Sequence, residues 1–268
     1  MVNNILIIGI TGNGKSALAS LLTNNDEFKA SGTGTSKTKR FQVSKEPFEY
    51  ESKEYRLIDN IGFGDTDNIP EEEIFLEIGE GIHSAEEGIN QVLFVFKGRF
   101  GPEQVETFKK FKTFISESGI TKYTTLVRTR FDEFRNPQKC EEDRQSLLGE
   151  GNKDLKEIID SCNGIIYVDN PPIPKIDATE ADSEDEAEIN LIKEKKEAAR
   201  KIVLDHLAEK CKEPYKFKGW NDIYKLVDDY INKKKERSEV TKSIKEHLAK
   251  EVSFTATIEY SINNIRNK

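Results

Sequence analysis

Residues 9–16 read Gly-Ile-Thr-Gly-Asn-Gly-Lys-Ser, a complete G-x-x-x-x-G-K-S phosphate loop, and its flanks dictate the local fold. Asn4-Ile5-Leu6-Ile7-Ile8 before it is a short apolar run that predicts a buried strand, and Ala17-Leu18-Ala19-Ser20-Leu21-Leu22 after it predicts the first turns of a helix. A strand, a tight glycine loop and a helix N-terminus bring unpaired backbone N–H groups and the helix dipole to one spot, which makes an anion site. Gly9, Gly12 and Gly14 let the backbone close around phosphates without a Cβ in the way. Lys15 is expected to reach the β- and γ-phosphates and the Ser16 hydroxyl to bind Mg2+. Thr11, Asn13 and Ala17 belong to the same loop and first helical turn, and are expected to surround the nucleotide with them. This unit implies a nucleoside triphosphate ligand.

The rest of the chain extends this unit into an α/β layered fold. Of 268 residues, the first 170 alternate strand-like and helix-like segments. Phe41 to Phe48 and Tyr55 to Asp59 predict two strands joined by a short charged turn, and Val92-Leu93-Phe94-Val95-Phe96 predicts a central strand buried on both faces. Gly101 to Glu117 carries Val105, Phe108, Phe111, Phe114 and Ile115 at helical spacing. Thr124 to Val127 and Ile165 to Val168 predict two more strands, with a charged and mostly helical stretch between them, broken at Gly149 to Gly151. Composition shifts after Asn170: three prolines bar a helix, Ala178 to Glu188 predicts an acidic loop, and helical stripes follow from about Ala187. Lys233 to Arg237 predicts a solvated helix face, and residues 239–268 support neither strand nor helix over the other. The expectation is a three-layer α/β nucleotide domain with a mixed, mostly parallel sheet over residues 1–175. An acidic loop and helical extension would occupy 176–268.

Charge and composition narrow the classes of partner. A net charge of −8 argues against a general nucleic-acid binder, whose footprint is basic. No stretch approaches the roughly 18 apolar residues of a membrane span, no signal peptide opens the chain, and no integral membrane anchor is expected. Three widely spaced cysteines, Cys140, Cys162 and Cys211, fit a reduced cytoplasmic compartment rather than a disulfide framework or metal site. His83, His206 and His247 are scattered and are assigned no chemical role.

A phosphate loop does not separate ATP from GTP; other elements do. Asp59-Asn60-Ile61-Gly62 follows a strand and gives Asp-x-x-Gly. Asp59 would hold the water shell of Mg2+, and the Gly62 N–H would approach the γ-phosphate so that the next loop senses it. Thr129-Arg130-Phe131-Asp132 follows another strand. The Asp132 carboxylate can accept two hydrogen bonds from guanine N1 and N2, a donor pair that adenine lacks, while the Arg130 stem covers the base. Asn170 is expected to reach the base from the other side through its amide. The polar stretch Ser31 to Thr38 should supply the switch hydroxyl that completes the Mg2+ shell, and Thr33, Thr35, Ser36 and Thr38 all compete for it.

Val92 to Glu103, with Gly98-Arg99-Phe100-Gly101 inside it, resembles the conserved box of the immunity-associated (AIG-type, GIMAP) GTPases, where an apolar strand runs into Gly-Arg-Phe-Thr. Gly9 to Ser16, including Thr11, is similar to that family's phosphate loop. Ser36-Lys37-Thr38 is similar to its Thr-Lys-Thr switch segment, Asp59 to Asp65 to its Asp-Thr-Pro-Gly-Leu-x-Asp, and Thr129 to Asp132 to its guanine element. The resemblance covers about residues 3 to 172. It implies a paraseptin-type GTPase, related to septins and chloroplast import GTPases, that forms a GTP-dependent homodimer or homo-oligomer through its nucleotide face. Asn60-Ile61 departs from the usual Thr-Pro. Phe63 follows Gly62, where switch GTPases of the Ras type carry a water-orienting glutamine, so intrinsic hydrolysis is expected to be slow. Arg99 is a family marker without an assigned role. The reading is therefore a GTP/GDP-binding protein with slow Mg2+-dependent hydrolysis, with Lys15, Asp59 and Gly62 as the catalytic set. The alternatives are a GTP-regulated scaffold in which hydrolysis is incidental and, further off, an ATP-dependent small-molecule kinase.

Overall fold

The computed structural model describes residues 2–25, 28, 42–59, 71–114, 118–149, 153–174 and 183–247. In chain order these form β1 (Val2–Ile8), α1 (Lys15–Thr23), β2 (Gln42–Val43), β3 (Phe48–Tyr50), β4 (Lys53–Asp59), α2 (Glu71–Ser84) and β5 (Gln91–Lys97). Then come α3 (Pro102–Phe114), a 3-10 turn (Ser118–Tyr123), β6 (Thr124–Thr129), α4 (Pro137–Gly149), α5 (Lys153–Ser161), β7 (Ile165–Tyr167), α6 (Ser183–Lys210) and α7 (Trp220–Ile231). Residues 237–247 are also helical.

The strands make one seven-stranded sheet in the order β2-β4-β1-β5-β6-β7, with β3 also pairing to β4. β4, β1, β5, β6 and β7 run parallel, and β2 and β3 run antiparallel to β4, so the sheet is mixed and mostly parallel. Register sets Ile7 beside Asp59 on one side and beside Leu93 on the other, which brings the C-terminal ends of β1 and β4 level.

Strand alternation sorts the core into two layers. Leu6, Ile8, Phe94 and Phe96 face Phe100, Phe108, Phe111 and Leu155, with Trp220, Ile223, Val227, Val240 and Ile244 packed on the same side. Ile5, Ile7, Val95 and Val127 face Leu18 and Leu22 of α1 and Val203, Leu204 and Leu207 of α6. Each fully buried side chain of this kind contributes about 1.5–3 kcal/mol. The helical chain beyond residue 176 is thus built into both outer layers: α6 beside α1, and α7 against α2. Among the described residues, no helix is long and apolar enough to cross a membrane.

Three local expectations change. The predicted strand from Phe41 to Phe48 is broken into β2 and β3. Ser44 pairs with Leu57 through its own N–H (2.9 Å) and hydroxyl (3.1 Å), and Pro47 has no N–H to continue the ladder. The turn into β4 runs through Glu51 and Ser52, both left-handed at φ 49° and 59°, as a tight hairpin requires. The acidic run is not all loop, because α6 begins at Ser183. Glu184, Asp185 and Glu186 fill its first turn, where the helix dipole favours negative charge. Of Lys233 to Arg237, only Arg237 is helical, and the other four residues form a connection. α7 ends as Asn232 bonds back to Asp228 and Lys233 turns left-handed at φ 56°.

Candidate functional site

The phosphate loop closes as its glycines demand. Gly9 sits at φ 139°, and a Cβ there would lie 2.2 Å from the Val95 carbonyl oxygen, so no other residue fits. Asn13 N–H turns back to the Ile10 carbonyl at 3.2 Å, while Asn13 Nδ2 reaches Val95 O at 3.4 Å. Gly14, left-handed at φ 95°, is the N-cap of α1 and has no side chain to cap with. No acidic residue occupies the first turn, so its N–H groups, Ala17 among them, face the loop as an open anion site. Thr11 lies exposed on the turn before Gly12.

Lys15 is buried, and its Nζ donates to the Gly9 carbonyl at 2.8 Å, spanning the loop from beneath. Ser16 Oγ donates to Asp59 Oδ2 at 2.9 Å. Asp59 is 4% exposed; burial pushes its carboxyl up, while Lys15 and the Ser16 hydrogen bond pull it down. Its Oδ1 is buried without a partner among the described residues. A hydroxyl and an unsatisfied carboxylate oxygen are hard donors that suit Mg2+, an ion that keeps waters and phosphate oxygens in its shell. Among the described residues, no three His, Cys, Asp or Glu side chains gather as a metal cluster, so such an ion would rest on Ser16, Asp59 and the phosphates.

Thr129, which the sequence assigns to the nucleotide, also ties the site together. Its buried Oγ1 lies 2.7 Å from Asn13 O and 3.2 Å from Phe96 O, fastening the loop to β5 and β6. Arg130 then adopts a left-handed backbone, φ 55°, which turns the chain sharply off the strand. Phe131 tucks against Tyr167 at 5.0 Å, and its ring lies 5.2 Å from the Arg128 guanidinium. Asp132 projects outward, its side chain 74% exposed, and pairs with Lys195 of α6 at 2.5 Å. Asn170 donates its amide to Ala17 O at 2.9 Å, which anchors it to α1; its Oδ1 is left unpartnered among the described residues. Ser36, Thr38, their competitors Thr33 and Thr35, Gly62 and Phe63 lie outside the described residues.

Two residues join the site that sequence patterns did not single out. Lys97, exposed at the end of β5, holds its Nζ 3.8 Å from where a Gly12 Cβ would sit, so a second ammonium overlooks the loop. Lys195 meets Asp132 across 63 positions of sequence, a separation at which local spacing carries no signal.

Comparison with known proteins gives one family. The family model described as AIG1 family matches residues 3–211. Immune-associated nucleotide-binding protein 10 of Arabidopsis thaliana is 30% identical over 148 residues, 54% of this chain; the chain spans only 30% of that relative's length. Two solved structures are similar at low identity. A variant of SsGBP is 14% identical with a TM-score of 0.44, over 78% of this chain and 57% of that one. A structure of the chloroplast translocon components atToc33 and psToc159, for whose GTPase activity dimerisation is important, is 17% identical with a TM-score of 0.42, over 73% and 83%.

Proposed function

The chain belongs to the AIG1 family, and from that premise we propose that it binds guanine nucleotide with Mg2+ and hydrolyses GTP slowly, acting as a nucleotide-dependent switch. The observation that carries the reading is the Ser16–Asp59 pair beside the buried Lys15, under the uncapped first turn of α1. The loop N–H groups and Lys15 would neutralise β/γ charge, and the bound cation would supply further charge stabilisation at the same oxygens. Ser16 and Asp59 would hold that cation. Phosphoryl transfer needs mainly positioning and electrostatics, so no dedicated base is required of this chain. Slow turnover follows from Phe63, an apolar side chain in the sequence where a water-orienting group would accelerate hydrolysis.

Guanine selectivity is assigned to Asp132, whose exposure leaves its carboxylate open to a base. Self-association through the nucleotide face belongs to the same proposal. A reducing, cytoplasmic setting is supported by three unpaired thiols, of which burial pushes Cys162 and Cys211 up to about 12 and so keeps them inert.

Calorimetric titration with GDP, GTP, ADP and xanthosine diphosphate tests the reading. Wild-type protein should prefer GDP to ADP, and Asp132→Asn should lose GDP by about a hundredfold or more while gaining the xanthine nucleotide. Preference for ADP over GDP overturns the guanine assignment. Solution mass with GDP and with a non-hydrolysable GTP analogue tests self-association, and rapid turnover by a monomer would argue against it.

A further inference from the structure

We propose that Lys195 is a positioning residue for guanine selectivity: from α6 it grips one oxygen of Asp132 and holds that carboxylate in the orientation that receives the base. The inference rests on the guanine-nucleotide reading above. Asp132 stands on a short turn with its side chain 74% exposed, and an unrestrained carboxylate there would rotate among several orientations. Lys195, only 27% exposed, contacts Oδ1 alone. An ionised carboxylate offers about four lone-pair sites. One ammonium on Oδ1 therefore leaves a free lone pair on Oδ1 and both on Oδ2, enough for the N1 and N2 hydrogens of guanine.

Three further observations support the role. α6 is a firm platform for Lys195, since Arg200 donates twice to the Leu22 carbonyl of α1, at 3.2 and 3.0 Å, and Val203 and Leu204 are fully buried below it. Asp169, two residues past β7, lies within the electrostatic reach of the same ammonium. Burial and the neighbouring Asp132 push the Asp169 carboxyl up, and Lys195 and Arg130 pull it down. Lys195 thus attracts two acids, Asp132 and Asp169, whose charges repel each other. The charge balance is local: Lys195 itself is held above the usual lysine range by its hydrogen bond to Asp132 and by the charges of Asp132 and Asp169, with desolvation and Arg135 opposing.

The test compares full-length wild type, Lys195→Met and Lys195→Arg by titration with GDP and with inosine diphosphate, which lacks the 2-amino group. Lys195→Met should weaken GDP by about fivefold, the upper range for an exposed pair. It should weaken inosine diphosphate less, so that the GDP-to-IDP ratio shrinks at an unchanged melting temperature. Lys195→Arg should restore most of the ratio, and Lys195→Met should cost nothing further in the Asp132→Asn background. A ratio unmoved in Lys195→Met overturns the proposal. GDP binding that tightens overturns it in favour of Lys195 as a competitor for Asp132. Wild type that does not distinguish GDP from ADP overturns the guanine reading, and this proposal with it. A wild type that does distinguish them, beside an unaffected Lys195→Met, overturns the positioning role alone.

Discussion

Ser16 donates its hydroxyl hydrogen bond to Asp59 at 2.9 Å, joining the first turn of α1 to the last residue of β4. The pair exists because β1 and β4 are parallel and in register, so the loop leaving β1 begins beside the carboxylate that ends β4. Replacing Asp59 by Asn keeps the shape and removes the charge. Affinity for Mg2+ in the nucleotide complex should fall by about 10- to 100-fold, as for other groups that orient a metal's shell. Binding in the presence of a chelator should change far less. Titrating Mg2+ against a fluorescent GDP analogue reads both; an unmoved Mg2+ curve would remove Asp59 from the cation site.

Gly9, Gly79 and Gly98 should rank by what a methyl group would meet. At Gly9 it strikes backbone, the Val95 carbonyl at 2.2 Å, in a conformation with φ 139°. Gly9→Ala should cost about 1–3 kcal/mol or more and abolish nucleotide binding, since the loop must move. At Gly79 it meets the fully buried side chains of Ile244 and Val227 at 2.7 and 2.8 Å, so the packing must shift but no backbone is struck. At Gly98 it meets nothing within 4 Å, leaving only the left-handed strain of φ 61°, about 1 kcal/mol. Urea denaturation of the three alanine variants should give the order Gly9 above Gly79 and Gly98, with binding lost only for Gly9.

The parts of this molecule that sequence reveals are those whose physics is local. Gly9, Gly12 and Gly14 are legible because a backbone conformation demands glycine. Val92 to Phe96 is legible because a strand covered on both faces must be apolar throughout, and these residues are fully buried. Ser183 to Glu186 misleads because an acidic run suits an exposed loop and a helix N-terminus equally. The strand break at Ser44 depends on a hydroxyl replacing a backbone partner on β4, which only pairing discloses. Lys195 is one of several lysines on a charged helix and becomes distinct only when α6 docks beside β7. The bond from the Asn170 amide to α1 spans 153 positions of sequence, so only the folded chain discloses it.

Arg128 and Asp143 form a bidentate pair, Nε to Oδ2 at 2.9 Å and Nη2 to Oδ1 at 3.1 Å, with side chains 13% and 18% exposed. The pair pins the end of β6 to α4, one residue before Thr129, and the guanidinium lies against Phe96 and Phe131. Asp143→Asn leaves a partly buried cation without its countercharge and should cost about 1–3 kcal/mol. Replacing both, Arg128→Met with Asp143→Leu, removes both desolvation penalties and should recover most of that loss. Chemical denaturation of the two variants decides it; a double variant as unstable as the single one would show that the pair stabilises by more than mutual neutralisation.

His206 should make stability depend on pH. Thr125 Oγ1 accepts from Gln91 Nε2 at 2.6 Å and lies 2.7 Å from His206 Nε2. The hydroxyl can donate its own hydrogen to His206 when Nε2 is unprotonated, an arrangement that suits a neutral ring. Burial holds the His206 pKa below its ordinary 6.5, with Lys210 acting in the same direction and Glu209 against it. In the unfolded chain the ring protonates near 6.5, whereas in the folded chain it resists until lower pH. The unfolded state therefore binds more protons between those two values, and stability rises with pH across that window. The contribution of His206 is complete above about pH 6.5 and is lost as pH falls toward the folded value, no more steeply than about 1.4 kcal/mol per pH unit. Melting temperatures from pH 5 to 8 for wild type and His206→Gln should converge in slope above pH 6.5 and diverge below it, the variant falling less. Parallel curves throughout would mean that His206 takes up its proton at the same pH in both states, and would overturn the prediction.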